Sequence, residues 1–168
     1  MSQFSPVVGM DGAWVRKLER FSDSRGFFSE IIRNVDIEHY SFDIVQYSVS
    51  ESRQNVARGL HSQVDQWQLV TLIEGKIDDF ILSPSVTGDK KTVLSLDAES
   101  VNQLILKPGN FHGFRVKSPS AKIVYGSSVY YGATPELGLN LKHHFGSSFT
   151  DSSNWEMSER DLSFKTNF

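Results

Sequence analysis

The chain has 168 residues, 39% of them hydrophobic and 22% charged, which suffices for one domain that buries about 70% of its unfolded surface. It contains no cysteine, which excludes disulfides, thiolate metal sites and a cysteine nucleophile. The net charge is -3 without a basic stripe, which argues against nucleic-acid binding. No leader pattern or apolar run of membrane length is visible. We therefore expect no membrane association and a cytoplasmic location.

Apolar residues recur mostly with a period of two, which predicts short β-strands. In chain order we expect strands around Phe27–Ile32 and Ile44–Val49, and then at 69–73, 77–82, 92–96, 103–106, 114–116 and 122–131. Glu74-Gly75 separates two of these runs and predicts a tight hairpin turn. Turn-forming Pro, Gly, Asn and Ser clusters separate most of the others.

Many short strands at steady spacing indicate an all-β sandwich or barrel. We expect a single domain, residues 1–168, in which residues 1–20 form an N-terminal arm and residues 145–168 a C-terminal segment. Within that segment, the Ser-rich stretch 146–153 is also compatible with a loop before a loosely held tail.

Two of the five histidines lie in distinctive surroundings, His61 in the string RGLHSQ and His112 in PGNFHGF. The P-G-x-x-H spacing around His112 is typical of a cupin jelly roll, in which a turn delivers a histidine into the barrel. The alternative is that His112 is a hydrogen-bonded core histidine near a turn.

A metal-binding cupin supplies an H-x-H pair at the earlier position, where this chain has His61-Ser62-Gln63. Two isolated histidines make a poor transition-metal site, because imidazole-rich sites usually use three ligands and an open position. We therefore expect a barrel without a metal, in which a histidine is free to act as a base.

Four strings in order, FSDSRGFFSE, RGLHSQ, KPGNFHGF and MSERD, resemble the dTDP-4-dehydrorhamnose 3,5-epimerase family over Phe21 to Asp161. The resemblance implies a cupin jelly roll (a double-stranded β-helix) that forms a homodimer. It implies an isomerase without a cofactor that acts on a nucleotide-diphosphate 4-keto-6-deoxy sugar at carbon 3, carbon 5 or both. The expected setting is the synthesis of precursors for surface polysaccharide, including lipopolysaccharide.

The resemblance also implies the catalytic groups. His61 matches the family's base, and Asp161 matches the aspartate that hydrogen-bonds that base, so the segment 145–168 would return Asp161 to the site. Tyr131 matches the proton donor, with Tyr130 as the alternative if the register slips by one.

A substrate-binding set follows from the same resemblance. Part of it lies on a segment that the family lends across the dimer, and part lies near the diphosphate and the sugar. The set is Arg25, Phe28, Glu30, Gln46, Ser48, Arg58, Gln68, His112 and Arg160.

Several positions depart from the family pattern. Ser48 replaces an asparagine, Arg160 replaces a lysine, and the W-N-D-P string is absent. Gln68 occupies the position of a lysine that lies near the keto oxygen in the family, and a neutral amide cannot supply that charge. Candidates for the missing group are Lys76, Lys142 and His112.

Epimerisation beside a ketone needs a base on one face of the sugar, an acid on the other and a group that stabilises the enolate oxygen. Three alternatives stay open from the sequence. They are an epimerase that inverts only carbon 3 or only carbon 5, a 3,4-ketoisomerase on the same fold, and a non-catalytic cupin that binds a nucleotide sugar.

Overall fold

The structure, a computed structural model, describes residues 3–166 and is built mostly from strands. The strands are β1 (Ser5–Pro6), β2 (Ala13–Arg16), β3 (Phe21–Asp23), β4 (Gly26–Phe28), β5 (Gln46–Arg53), β6 (Ala57–Gln63), β7 (Gln68–Glu74), β8 (Lys76–Ser83), β9 (Lys90–Asp97), β10 (Gln103–Leu106), β11 (Phe111–Val116), β12 (Ser120–Ser127) and β13 (Glu136–Gly138). The helices are α1 (Asn34–Ile37), α2 (Leu141–Phe145) and α3 (Glu159–Ser163), with 3-10 turns at Glu38–Tyr40, Gly146–Ser148 and Ser152–Asn154.

The strands form two antiparallel sheets that enclose a common interior. One sheet has six strands in the order β1-β2-β10-β7-β12-β5, and the other has five in the order β13-β6-β11-β8-β9. Strands β3 and β4 make a separate two-stranded hairpin. The predicted all-β cupin jelly roll is confirmed, and the predicted N-terminal arm contributes β1 and β2 to the larger sheet.

Side chains alternate between the interior and the outer face along each central strand. On β8, Ile77 and Ile81 join the core between the sheets, together with Val70, Leu72, Leu104 and Ile123 from the opposite sheet. Phe80 and Leu82 of the same strand point outward into a second apolar cluster. Strands buried on both faces therefore read as continuous apolar runs in the sequence.

The C-terminal segment covers the outer face of the five-stranded sheet. Phe145 and Trp155, each 4% exposed, pack there against Phe80 and Leu82. The Ser-rich stretch within this segment therefore forms compact 3-10 turns between two buried aromatic anchors, and the loose-tail alternative is wrong for the described part of the segment.

Three local expectations need correction. The turn at Glu74-Gly75 is tight, but it carries the chain from one sheet to the other, since β7 and β8 are not hydrogen-bonded neighbours. The strand predicted at 122–131 ends at Ser127, and the apolar Ile31 and Ile32 pack outside any strand. No strand was predicted at β2, β6 or β13. Strands β6 and β13 carry polar residues that face the cavity, and these residues interrupt the apolar alternation.

Candidate acid–base site

A β-bulge on β6 turns two polar side chains into the barrel. Four residues of β6, Arg58 to His61, lie opposite three residues of β11, because His61 pairs with His112 and Arg58 with Phe114. Arg58 and His61 thus both line the interior cavity. Gly59 makes this possible at φ +111°, since a Cβ there would lie 2.6 Å from the Cα of Gly113.

The carboxylate of Asp161 holds the imidazole of His61. Asp161 Oδ1 lies 2.9 Å from His61 Nε2, and Oδ2 accepts the Gly59 backbone N–H at 3.3 Å. Asp161 is positioned by α3, whose N-cap Ser158 accepts the Asp161 backbone N–H at 3.1 Å. The structure therefore brings together the imidazole and the carboxylate that the sequence resemblance paired, 100 residues apart in the chain.

Opposing effects set the ionisation of this carboxyl. Burial alone would raise the pKa of Asp161, but the hydrogen bond and charge of His61, the Gly59 N–H and Ser158 outweigh it and hold the pKa below its usual value. Asp161 is thus ionised at neutral pH and accepts the His61 Nε2–H, which leaves Nδ1 as the nitrogen with a free lone pair.

Two residues that the sequence analysis did not select complete the surroundings of His61. Glu136 of β13 places Oε1 3.9 Å from His61 Nδ1, and its other oxygen pairs with Arg160. Phe164 packs its ring at 90° to the imidazole with centroids 5.4 Å apart. Glu136 was indistinguishable from an ordinary loop acid in the sequence, because only the pairing of β13 with β6 brings it to His61.

The cavity beside His61 is polar and receives side chains from both sheets. Tyr125 of β12 lies in the sheet that faces His61 and hydrogen-bonds Ser50 at 3.2 Å. Burial raises the pKa of Tyr125 to about 12. The residues that line the cavity are Arg58, His61, Ser62, Gln63, Gln66, Gln68, Leu106, Lys107, Asn110, His112, Gly113, Phe114, Tyr125 and Glu136.

Tyr131 lies in a turn after β12 and is 75% exposed, and Tyr130 beside it is 64% exposed. Neither ring is among the described residues that line the cavity. The Tyr131 backbone N–H donates to Gln46 Oε1 at 2.8 Å, and Gln46 Nε2 donates to Ser48 Oγ at 3.1 Å. Gln46 therefore tethers the turn that carries the two tyrosines, with Ser48 bound behind it.

The structure does not bring the predicted segment around Arg25 to the cavity of its own chain. Arg25 pairs with Asp23 at 2.6 Å on the β3–β4 hairpin, with 88% of its side chain exposed. Phe28 is 64% exposed, and Glu30 is exposed as well. All three side chains are therefore exposed to solvent.

Within residues 3–166, no group of three or more His, Cys, Asp or Glu side chains is arranged to hold a metal ion. Over the same range, no helix has the length and apolar character to cross a membrane.

The cavity of this jelly-roll barrel is polar and holds an imidazole that is hydrogen-bonded to a buried carboxylate. These features define a class of cupin suited to proton transfer. The family model for dTDP-4-dehydrorhamnose 3,5-epimerase matches residues 8–167. A dTDP-4-dehydrorhamnose 3,5-epimerase from Shigella flexneri is 34% identical over 128 residues, 71% of each chain. The chain therefore belongs to the dTDP-4-dehydrorhamnose 3,5-epimerase family, whose members are isomerases.

Solved structures show the same fold. A dTDP-6-deoxy-D-glucose-3,5-epimerase from Legionella pneumophila Philadelphia 1, in complex with dTDP-4-keto-L-rhamnose, matches 94% of this chain and 89% of its own with a TM-score of 0.82 at 24% identity. ChmJ, a 3'-monoepimerase from Streptomyces bikiniensis in complex with dTDP-quinovose, matches 95% and 85% with a TM-score of 0.84 at 24% identity.

Proposed function

We propose that this chain epimerises a nucleotide-linked 4-keto-6-deoxy sugar by removing a proton from a carbon beside the ketone. The observation that carries the proposal is the His61–Asp161 pair, joined at 2.9 Å at the wall of a polar cavity. A module that only binds a sugar nucleotide has no need of a basic imidazole with a fixed tautomer. The non-catalytic alternative is therefore the weaker one.

In the proposed reaction, Nδ1 of His61 takes the α-proton, and the C–H electron pair forms the enolate. Asp161 stabilises the imidazolium that results, as the acid behind the histidine does in a catalytic triad. Glu136, 3.9 Å from Nδ1, adds a second negative charge beside the same ring. No redox group is needed, because the ketone is already in the substrate.

The returning proton comes from the opposite face of the sugar. We keep Tyr131 as the proposed acid, with its turn tethered by Gln46, and expect the turn to close over a bound sugar. Tyr125 is a second candidate, because its ring already lines the cavity from the sheet that faces His61. Tyr130 remains the alternative within the turn.

The number of inverted centres depends on how the sugar sits between base and acid. Similarity to 3,5-epimerases supports inversion at both carbon 3 and carbon 5, and the likeness in fold to a 3'-monoepimerase keeps inversion of one centre as the second candidate. A 3,4-ketoisomerase would use the same base, but its product would carry the ketone at carbon 3.

We further propose a homodimer, in which Arg25, Phe28 and Glu30 reach the cavity of the partner. The β3–β4 hairpin exposes three phenylalanines, Phe21 at 52%, Phe27 at 54% and Phe28 at 64%, which is a large apolar surface for so small an element. The edge strand β5 also exposes Tyr47 and Val49. Arg58, at the cavity wall, and Arg160 would then bind the substrate from the protomer that holds the base.

We propose that the reaction belongs to the synthesis of precursors for surface polysaccharide, including lipopolysaccharide. We further propose that it takes place in the cytoplasm and that the chain is a single cupin domain. The family supports the first point, since a relative from Bacillus subtilis, 29% identical over 128 residues, is a spore coat polysaccharide biosynthesis protein. A chain without cysteine is compatible with a reducing compartment.

The test is incubation with dTDP-, CDP- and GDP-linked 4-keto-6-deoxy sugars in deuterated water, followed by NMR at carbons 3 and 5. We expect deuterium at one or both carbons together with inverted product. A ketone at carbon 3 would indicate the ketoisomerase. Tight binding without any exchange would indicate the non-catalytic cupin.

A further inference from the structure

Removal of an α-proton places negative charge on the keto oxygen, so the reaction needs a donor near that oxygen. The inference that follows rests on the proposed function. Gln68 lines the cavity but is neutral, and its amide N–H already lies 3.3 Å from Gln66 Oε1. Lys76 is 64% exposed and paired with Asp97 at 2.9 Å, and Lys142 lies on α2 outside the barrel.

A second imidazole and carboxyl face each other inside the barrel. His112 of β11 lines the cavity, and its Nδ1 is 3.6 Å from Oδ2 of Asp79 on β8. Asp79 is 0% exposed. Both of its carboxyl oxygens and His112 Nδ1 are buried without a hydrogen-bond partner among residues 3–166. A small rotation of either side chain closes the gap, and the two unpartnered groups then satisfy each other.

This pair retains a proton. An ionised carboxyl without a hydrogen-bond donor is costly in an apolar interior, and burial raises the pKa of Asp79 against the smaller opposing effect of His112. A protonated Asp79 carboxyl donates its O–H to His112 Nδ1. The ring hydrogen of His112 then lies on Nε2, on the far side of the ring. The other ionisable groups that line the cavity are Arg58, His61, Lys107, Tyr125 and Glu136.

We propose that His112 is a catalytic residue that donates its Nε2–H to the enolate oxygen, and that Asp79 is the positioning residue that fixes its tautomer. His112 pairs directly with His61 across β6 and β11, and side chains in such a pair start about 4.5–5.5 Å apart. That spacing allows one ring to contact the α-carbon while the other contacts the oxygen on the next carbon. As His61 takes the proton, the C–H pair becomes the C=C bond, and the carbonyl π pair moves to the oxygen bound by His112.

Single substitutions separate the two roles, with deuterium exchange into dTDP-4-keto-L-rhamnose as the readout. His112→Phe keeps a ring but removes the donor, and we expect exchange to fall by about 10²- to 10³-fold. His112→Gln retains an N–H and should lose less. Asp79→Leu removes the partner of Nδ1 and should slow exchange at least tenfold, whereas Asp79→Asn can still donate to Nδ1 and should recover most of the rate. His143→Gln, on the exposed side of α2, is the control for loss of an imidazole.

Nitrogen-15 NMR of the histidine rings tests the tautomer without substrate. We expect a protonated Nε2 on His112 in the wild type and a mixed tautomer in Asp79→Leu, while Asp161→Asn alters only the His61 ring. A His112→Phe variant that melts like the wild type and exchanges at the wild-type rate overturns the proposal and leaves the epimerase function standing. An unprotonated His112 Nε2 in the wild type overturns it as well. If the wild type exchanges no proton of any nucleotide sugar, the proposed function falls, and this role falls with it.

Discussion

His61 is held by groups from two separate parts of the chain, the C-terminal segment and β13. Asp161 binds Nε2 at 2.9 Å, Glu136 lies 3.9 Å from Nδ1, and Phe164 packs against the ring. These contacts fix the orientation of the imidazole, and the Asp161 carboxylate favours the tautomer with the hydrogen on Nε2.

The first prediction concerns Asp161→Asn. The amide is isosteric and keeps the ring in place, but it no longer accepts the Nε2–H as a carboxylate does or stabilises the imidazolium. We expect kcat to fall by roughly 10³-fold or more, by analogy with the aspartate of a catalytic triad. Circular dichroism should show an unchanged fold. A variant with near wild-type kcat would remove Asp161 from the mechanism.

The lowered pKa of Asp161 also predicts a pH dependence of stability. An acid whose pKa is lower in the folded chain than in the unfolded chain contributes stability above the unfolded pKa, and that contribution is lost as pH falls through the folded pKa. The Tm difference between wild type and Asp161→Asn should therefore be largest near neutral pH. It should shrink below about pH 4, the usual range of an aspartate. A constant difference from pH 7 to pH 3 would contradict this assignment.

The identity of the acid is tested by Tyr131→Phe and Tyr125→Phe. Loss of the acid leaves the base intact, so His61 can return a deuteron only to the face from which it took the proton. The variant that lacks the true acid should incorporate deuterium while largely retaining configuration, whereas the other should invert at the wild-type rate. Tyr130→Phe tests the alternative within the turn and should behave in the same way if Tyr130 is the acid. If all three variants invert normally, the proton comes from water or from another side chain.

Among the elements, β6 is the one that the site depends on most. Its bulge needs Gly59, where φ is +111° and a Cβ would lie 2.6 Å from the Cα of Gly113. We expect Gly59→Ala to lose about 2 kcal/mol or more of unfolding free energy, measured in urea, together with activity. Gly88→Ala is the matched control, since φ there is +118° with no atom within 4 Å of the added Cβ. Equal losses in the two variants would show that the close approach to Gly113 contributes nothing.

The strands differ in how well they can be predicted from the sequence. Central strands such as β7 and β8 were predictable because both faces are buried and the apolar run is continuous. Strand β6 carries Arg58, His61 and Gln63 toward a cavity, so its periodicity is hidden by the residues that serve the site. Partnerships such as Glu136 with His61 depend on strand order, which local sequence does not encode.

At the scale of the whole molecule, each site of the proposed dimer combines residues from both subunits. Light scattering should give about twice the mass of one 19.0 kDa chain. If Arg25 serves the partner's cavity, an Arg25→Ala protein, weakly active alone, and an inactive His61→Gln protein should complement when mixed. Random exchange of subunits leaves roughly a quarter of the sites intact, so about a quarter of wild-type activity is expected. Lack of complementation despite proven subunit exchange would place Arg25 outside the partner's site.

His61 is the base that opens the proposed reaction. The most direct measurement is the rate of deuterium incorporation at carbons 3 and 5 of dTDP-4-keto-L-rhamnose by wild type and by His61→Gln, with the melting temperature and the affinity for the nucleotide sugar measured in parallel. We expect exchange by the wild type and none above the uncatalysed rate by His61→Gln, while fold and binding persist. Exchange by His61→Gln at a rate close to that of the wild type would contradict this assignment.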